Sequence, residues 1–447
     1  MSDVQQTADA TTEEAPDLEE VRDAWPALSL DERIEALSLL PPDDAEDLFV
    51  TLTAHEQVQM LQTLQPAQRR AWLRLLDPED AVDVVQELPA DERDAALAAL
   101  DARTRREVGV LLAYAEDQAG GLMSPRYATV RGDLTIDEAI SYLRRQARDN
   151  LATVYYAYVL DDGQHLIGVV SLGDLFTAQH AARVRDVMQT EMVTVAEDMD
   201  QEQVSRLFSQ HQLLAIPVVD KDNRLKGIVT VDDIVDVFQE EATEDIQKLG
   251  GTEALDEPYL TIKLWPLLRK RGVWLAVLFL GEMLTATTLG YFEHEMAKAV
   301  VLSMFMPLII SSGGNSGSQA TTLVIRAMAL GEVGMAQWWR VMRREIAAGL
   351  VLGGMLGAIG FARIVVWGSI ANAYGPYHVL IACVVAISLV SVVLFGTLAG
   401  SMLPLLLKRA GLDPASASAP MVATLVDVSG LAIYFSAAAL ILRGTLL

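Results

Sequence analysis

The sequence predicts a multi-domain fold with three parts: an N-terminal α-solenoid, an α/β pair of tandem modules, and, after a connecting helix, a five-helix transmembrane domain. Three observations predict it. A leucine recurs every twelve positions, at Leu28, Leu40, Leu52, Leu64, Leu76, Leu88, Leu100 and Leu112. Further on, GLMSPRYATVRGDLTIDEAISYL (121–143) lines up with DVMQTEMVTVAEDMDQEQVSRLF (186–208), and HLIGVVSLGDL (165–175) with RLKGIVTVDDI (224–234). Beyond residue 272, mostly apolar runs cover 273–291, 299–327, 346–369, 379–405 and 419–442, each long enough, at about 20 residues or more, to cross a bilayer as a helix.

Charge divides the chain the same way. Of 60 acids and 34 Lys/Arg in 447 residues, only seven acids and nine bases fall in 273–447, which leaves 53 acids and 25 bases, a net −28, in 1–272. Such a field repels nucleic acid and anionic lipid headgroups and gathers cations. Cys383 is the one cysteine and sits in an apolar stretch, so neither a disulfide framework nor a Cys/His zinc site is possible. Residues 1–20, MSDVQQTADATTEEAPDLEE, lack the basic and apolar regions of a signal peptide and are expected to form a disordered acidic tail.

The twelve-residue period is an internal repeat. Each unit supplies about ten residues with apolar groups at helical spacing and closes near a junction such as LPPDD, LQPAQ, LDPED or LPADE. The expectation for 21–118 is a right-angled stack of short helices whose neighbours bury one another. Glu79, Asp80 and Asp83 at one junction read either as caps and solvated acids or as metal ligands.

In 119–240 each copy of the second repeat (119–180 and 183–240) reads as strand, helix, β-branched strand, turn, strand, helix. The pattern ends in G-[VI]-V-[ST]-x-x-D-[LI] and resembles a pair of CBS modules. That resemblance implies one ligand-sensing unit, often a binder of adenine nucleotides; a generic α/β domain is the plain alternative. DVFQEEATEDIQKLGGTEALDEPY (236–259) is polar, helical in pattern and interrupted by Gly250 and Gly251. It predicts a connecting helix over 241–262, either a linker or a lever whose position depends on charge.

Basic residues flank the runs unevenly. Lys263, Arg269, Lys270 and Arg271 precede the first run, Arg326, Arg340, Arg343 and Arg344 surround the second connection, and Lys408 and Arg409 follow the fourth. This places the acidic N-terminal half in the cytoplasm and the C-terminus outside. Within the second run, Ser311, Ser312, Gly313, Gly314, Asn315, Ser316, Gly317, Ser318 and Gln319 stand together at membrane depth. Lipid cannot solvate them, so they serve helix packing, a wet cavity, or both.

Asp427, in ATLVDVSGLAIYF (423–435), is different in kind. A carboxylate at mid-bilayer costs roughly 2.5–3.5 kcal/mol even on lenient insertion scales. It therefore faces an aqueous path, a bound cation or a hydrogen-bonding neighbour. Ala423, Thr424 and Gly430, three or four residues away, are small and leave room beside it. Glu282 is the rival acid, lining the same path or only a helix contact. Carboxylate, hydroxyl and carbonyl oxygens suit hard ions such as Mg²⁺, Ca²⁺ or Mn²⁺, and no span has the His/Cys pair that Zn²⁺ or Cu⁺ favours. One Asp from each of two subunits would form a ring around a hydrated ion.

This order of parts, together with AEDQAGGLM (115–123), EATEDIQKLG (241–250), SSGGNSGSQATTLVIRAMALGE (311–332) and ATLVDVSGLAIYF, resembles the MgtE family of bacterial magnesium channels. The resemblance implies a homodimer in the cytoplasmic membrane with a pore along the subunit interface. Asp427 would hold hydrated Mg²⁺ there, Ala423 would offer its carbonyl, and Asn315, Gln319, Thr424 and Gly430 would line or support the path. It also implies closure by cytosolic Mg²⁺ bound among acidic surfaces. Candidates are Asp220, Asp222 and Asp232 in the second module, Glu253 and Asp256 on the connecting helix, Asp413 before the fifth span, and Glu79 and Asp83 in the solenoid. ATP at the CBS pair is the other implied ligand. Family members often carry Asn before the Pro that opens the fifth span, where this chain has Ala419. The expected function is a Mg²⁺-selective channel for passive uptake; the alternative is a secondary divalent-cation transporter regulated by its CBS pair. With no Walker loop and no nucleophile beside a His, an enzyme is not expected, nor is a nucleic-acid partner. Five non-repeating spans argue against an inverted-repeat transporter.

Overall fold

The computed structural model describes residues 16–148, 151–255, 257–260, 262–371, 373–443 and 445. It divides into two compact units, one ending at Glu240 and one beginning at Glu241.

The first unit opens with short helices: α1 (Leu18–Ala24), a 3-10 turn (Trp25–Ala27), α2 (Leu30–Leu39), α3 (Pro42–Val50), α4 (Ala54–Thr63), α5 (Pro66–Leu73), α6 (Pro78–Glu87), α7 (Ala90–Ala99) and α8 (Thr104–Leu111). Their starts are set locally. Pro42, Pro66 and Pro78 occupy first-turn positions, where a missing N–H costs nothing. Ser29 with Glu32 and Thr53 with Glu56 form capping boxes. The repeating leucine sits just past each helix. Leu40, Leu64, Leu88 and Leu100 are extended closing residues, and each turns the chain inward. Leu40, Leu76, Leu88 and Leu100 are buried, while Leu28, Leu52, Leu64 and Leu112 pack against the same core. The first helix begins at Leu18, inside the segment expected to be a tail; residues 1–15 lie outside the described residues.

Two α/β modules follow. The first has α9 (Ala119–Leu122), β1 (Tyr127–Arg131), α10 (Ile136–Gln146), β2 (Thr153–Leu160), β3 (Leu166–Ser171) and α11 (Leu172–Thr177). The second has α12 (Val184–Val187), β4 (Val195–Ala196), α13 (Gln201–His211), β5 (Ala215–Val219), β6 (Leu225–Thr230) and α14 (Val231–Leu249). Their sheets have the same order, β1-β2-β3 and β4-β5-β6, with the first pair parallel and the second antiparallel. The copies interlock: Leu166 N–H donates to the Asn223 carbonyl at 3.0 Å, and Ser124 and Ile228 exchange backbone bonds. One apolar core runs from Trp25 through Val85 and Leu111 to Phe208, Ile216 and Ile234, so solenoid and second module share an interior. Arg126, itself buried, ties the first module to the solenoid by donating to Asp77 (3.2 Å), Glu107 and Thr104 (2.9 Å).

The connecting element corrects the expectation. Among the described residues, no separate helix covers 241–262. Instead α14 starts in the second module and ends at Leu249, because Gly251 takes φ +73°, a left-handed conformation that glycine adopts without strain. Glu253 therefore follows the helix instead of lying on it, and Asp256 lies outside the described residues.

The second unit holds α15 (Leu264–Tyr291), α16 (Glu293–Lys298), a 3-10 turn (Val300–Phe305), α17 (Met306–Ala329), α18 (Trp338–Ala371), α19 (His378–Arg409) and α20 (Ala419–Leu442). Five helical segments are long and apolar enough to cross a membrane, as expected, although the first and third begin earlier than their apolar runs. With no apolar-water contrast between helices in lipid, association depends on close packing. The α17–α19 contact shows this: a Cβ at Gly396 or Gly400 would run into the carbonyls of Gly313 and Gly317. Thr321 donates to the Gly400 carbonyl at 2.9 Å across the seam this closeness creates. Gly400→Val is expected to abolish monodisperse folded protein on size-exclusion chromatography. Gly354→Ala, at a position with nothing nearby, is expected to leave the profile unchanged.

Candidate functional site

In the membrane unit α20 starts cleanly. Ser418 accepts from Met421 N–H at 3.3 Å, and Pro420 occupies the first turn. Asp427 follows two turns later and is half-buried. Thr424 is committed to its own helix, donating to the Pro420 carbonyl at 3.0 Å. A Cβ on Gly314 would lie 3.7 Å from the Ala423 Cβ, so α17 and α20 touch at Ala423. Gly430 is buried, and a Cβ there would meet Val392 at 3.1 Å. It belongs to helix packing and is not part of an open wall. Ala419 receives a hydrogen bond on its carbonyl from Ser318 at 3.3 Å.

The polar stretch of α17 splits by face. Gly313, Gly314, Ser316 and Gly317 are buried, whereas Ser311, Asn315, Gln319 and Thr322 are exposed. Those four recur at three- to four-residue spacing, so they form one polar stripe that the chain itself leaves uncovered. Glu282 on α15 lies within hydrogen-bonding reach of Asp427.

The first unit holds a second acidic place. A cleft of about 290 Å³ is lined by Glu79, Asp80 and Asp83 from α6, by Asp233, Asp236 and Glu240 from α14, and by Glu116. Glu79 is buried with Oε2 unpartnered. Burial pushes Glu79 and Asp83 up to about 8, Asp80 to about 7 and Asp233 to about 6, and the neighbouring acids push in the same direction. Asp236 and Glu116 are raised for the same reason. Without a cation, the cleft holds protons that ordinary carboxylates would have lost.

Of the acids expected from sequence, the structure brings Glu79 and Asp83 together here. The partners from α14 were missed, although their helical spacing was a usable signal. Asp232 is exposed on the first turn of α14. Asp220 closes the β5–β6 turn, accepting from Asp222 N–H and Arg224 N–H at 2.9 Å and pairing with Lys226 at 3.1 Å. Asp222 lies in that exposed turn, and Glu253 is exposed. Asp413 caps the turn Pro414–Ser416 through Ala415 N–H at 2.8 Å and pairs with Lys248 at 2.6 Å. Among the described residues, no three or more His, Cys, Asp and Glu side chains form a ready-made coordination shell. Such loosely arranged acids suit an ion that keeps its water.

Family models match three stretches: an MgtE intracellular N domain over 17–117, CBS domains over 119–181 and 184–240, and a divalent cation transporter domain, MgtE, over 306–437. The magnesium transporter MgtE of Thermus thermophilus is 44% identical over 346 residues, covering 77% of this chain and 74% of its own. The chain belongs to the MgtE family. The Enterococcus faecalis magnesium transporter MgtE is 32% identical, with 75% and 72% covered. A solved structure described as the cytosolic domain of the Mg²⁺ channel MgtE in complex with ATP is 41% identical, with TM-score 0.46, and covers 49% of this chain and 90% of its own.

The raised carboxylates of this MgtE chain give a test. A group whose pKa rises on folding makes the folded state hold extra protons. Stability is then full below the unfolded value of about 4 and falls as pH rises through the folded value. Without divalent cations, hydrogen exchange in α6 of the full-length protein, corrected for intrinsic rate, is expected to be slower at pH 6 than at pH 8.5. Added Mg²⁺ is expected to restore protection at pH 8.5.

Proposed function

We propose that this MgtE chain forms a Mg²⁺-selective channel for passive magnesium uptake across the cytoplasmic membrane, closed by cytosolic Mg²⁺. The observation that carries the reading is Asp427, half-buried in an apolar span, on a helix packed against α17, which leaves the stripe of Ser311, Asn315 and Gln319 uncovered. Neither can be left to lipid. A second copy of the chain, placed against α17 and α20, would enclose the stripe and bring two Asp427 carboxylates to one axial path. Mg²⁺ gives up its water reluctantly, so two carboxylates acting through its hydration shell suffice to hold it. Ala423 and Thr424, a turn earlier on α20, would border the ion's approach. The N-terminal unit is cytoplasmic and the C-terminus external in this arrangement.

Regulation rests on the α6–α14 cleft. Its acids repel while empty, and a divalent ion bound there links the solenoid to the helix that continues towards the membrane unit. A roughly 10⁴-fold preference of bound ions for one arrangement, about 5.5 kcal/mol, carries an equilibrium from 1:99 to 99:1. A few ions suffice. ATP at the paired modules would be a further input, in line with the twofold α/β repeat.

Three outcomes are expected in proteoliposomes. Asp427→Asn abolishes selective Mg²⁺ flux while the protein remains folded. Wild-type flux follows the electrochemical gradient in either direction, whereas flux tied to a counter-ion gradient would establish the transporter reading. The combined Glu79→Gln, Asp80→Asn and Asp83→Asn variant stays active at millimolar cytosolic-side Mg²⁺ that shuts the wild type; unchanged shut-off would remove the cleft from the mechanism.

A further inference from the structure

Glu282 has no place in the reading above, yet it is a carboxylate exposed on α15, at the centre of a segment long enough to span a membrane. Its immediate neighbours Leu280, Met283 and Leu284 are exposed apolar side chains. An isolated acid there faces the same cost as Asp427.

The crossing of α15 and α20 relieves it. A Cβ on Gly281 would sit 3.0 Å from Thr424 Cγ2, so the small residue next to Glu282 is the point of close approach. Further along, Phe292 stacks on Phe435 with centroids 5.2 Å apart. The two contacts advance together along both helices, and the helices therefore run parallel in register. That register sets Glu282 two residues, about 3 Å of helix rise, short of the level of Asp427, close enough for the two carboxyl groups to lie within hydrogen-bonding reach. Thr285, one turn on from Glu282 and on the same stripe as Gly281, has a buried hydroxyl without a partner. One turn to either side on α20, Gly314 approaches Ala423, and Val392 and Ile310 approach Gly430.

Two carboxylates brought together in an apolar span repel when both are ionised, and a cation between them would relieve that repulsion. We propose that Glu282 is a second, specificity-determining carboxylate of the ion path, acting with Asp427 of its own chain on a hydrated divalent cation. The inference rests on Asp427 lining that path. Each chain then contributes two negative charges, which doubles the attraction for any cation and favours a divalent over a monovalent ion by the product of charges. Thr285 offers a hydroxyl to the hydration shell.

The test is Mg²⁺ flux into proteoliposomes holding full-length Glu282→Gln, Glu282→Asp, Asp427→Asn or wild-type protein, with folded protein quantified by size-exclusion chromatography and thermal melting. Glu282→Gln is expected to raise the half-saturating Mg²⁺ concentration roughly tenfold while keeping maximal flux, the pattern of a lost binding interaction. It should also admit Na⁺ or K⁺ more readily. Glu282→Asp should recover part of both, and Asp427→Asn should be silent. Wild-type affinity and selectivity in Glu282→Gln, with Asp427→Asn silent, would overturn the role of Glu282 and leave Asp427 standing. Loss of maximal flux in step with lost folded protein would reduce the contact to helix packing and equally overturn the proposal. Normal flux in Asp427→Asn would remove the path on which both depend.

Discussion

A polar group in hydrocarbon must find its partner inside the protein, and the membrane unit is organised by that requirement. Backbone groups are satisfied within long helices. Hydroxyls follow by bonding back to their own helices, as Ser312 does to the Leu308 carbonyl (2.6 Å) and Thr322 to the Ser318 carbonyl (3.0 Å). Tyr434 reaches across to the Leu302 carbonyl at 2.8 Å. What these devices leave over includes two places of note, the exposed Asn315–Gln319 stripe and the carboxylates on α15 and α20, besides the buried hydroxyls of Thr285, Ser316 and Ser388. The chain on its own supplies no cover for the first and no counter-charge for the second. On the proposed reading, a second copy of the chain and a hydrated cation would meet both.

The cytosolic cleft poses the same electrostatic problem in a different solvent. Water reaches it, so its acids can protonate or attract ions and need not be neutralised by design. On the proposed reading that would make the place responsive, and the intramembrane pair selective. The connection between the two is covalent. α14 carries Asp233, Asp236 and Glu240 into the cleft and runs on unbroken to Lys248. At about 1.5 Å per residue, its 19 residues span nearly 30 Å, and such a helix bends little over that length. In the proposed mechanism an event at its first turns would be conveyed along this one helix.

How much of this was legible depended on whether the signal was periodic, local or tertiary. The solenoid was legible because a residue that must turn inward after each helix returns at a fixed interval, and Leu40, Leu76, Leu88 and Leu100 are buried accordingly. The paired modules were legible because the repeat preserves β-branched runs such as GVVS and GIVT. Asp427 stood out because one charge in an apolar run is locally costly. The cleft did not stand out: Asp80 and Asp233 are far apart in sequence and ordinary in context, and only the shared core brings them together. The start of α14 was misplaced because VDDIVDV reads equally well as the end of a module, while the glycines that stop it were plain.

Asp413 and Glu79 both looked like regulatory ligands in sequence, and the structure separates them by counting oxygens. Asp413 spends one on a backbone N–H and the other on the Lys248 ammonium, which Glu244 also contacts. A divalent ion arriving there must first displace a fixed cation, and so gains only the difference between two attractive interactions. Glu79 presents a buried oxygen with no partner, among acids that raise one another's affinity for protons. An ion arriving there gains the whole interaction and relieves a repulsion besides. Lys248 thus already provides at Asp413 the positive charge that the cleft lacks. In the proposed mechanism, sensitivity to a changing Mg²⁺ concentration would therefore belong to the cleft, with the Lys248–Asp413 pair as an anchor for the end of α14.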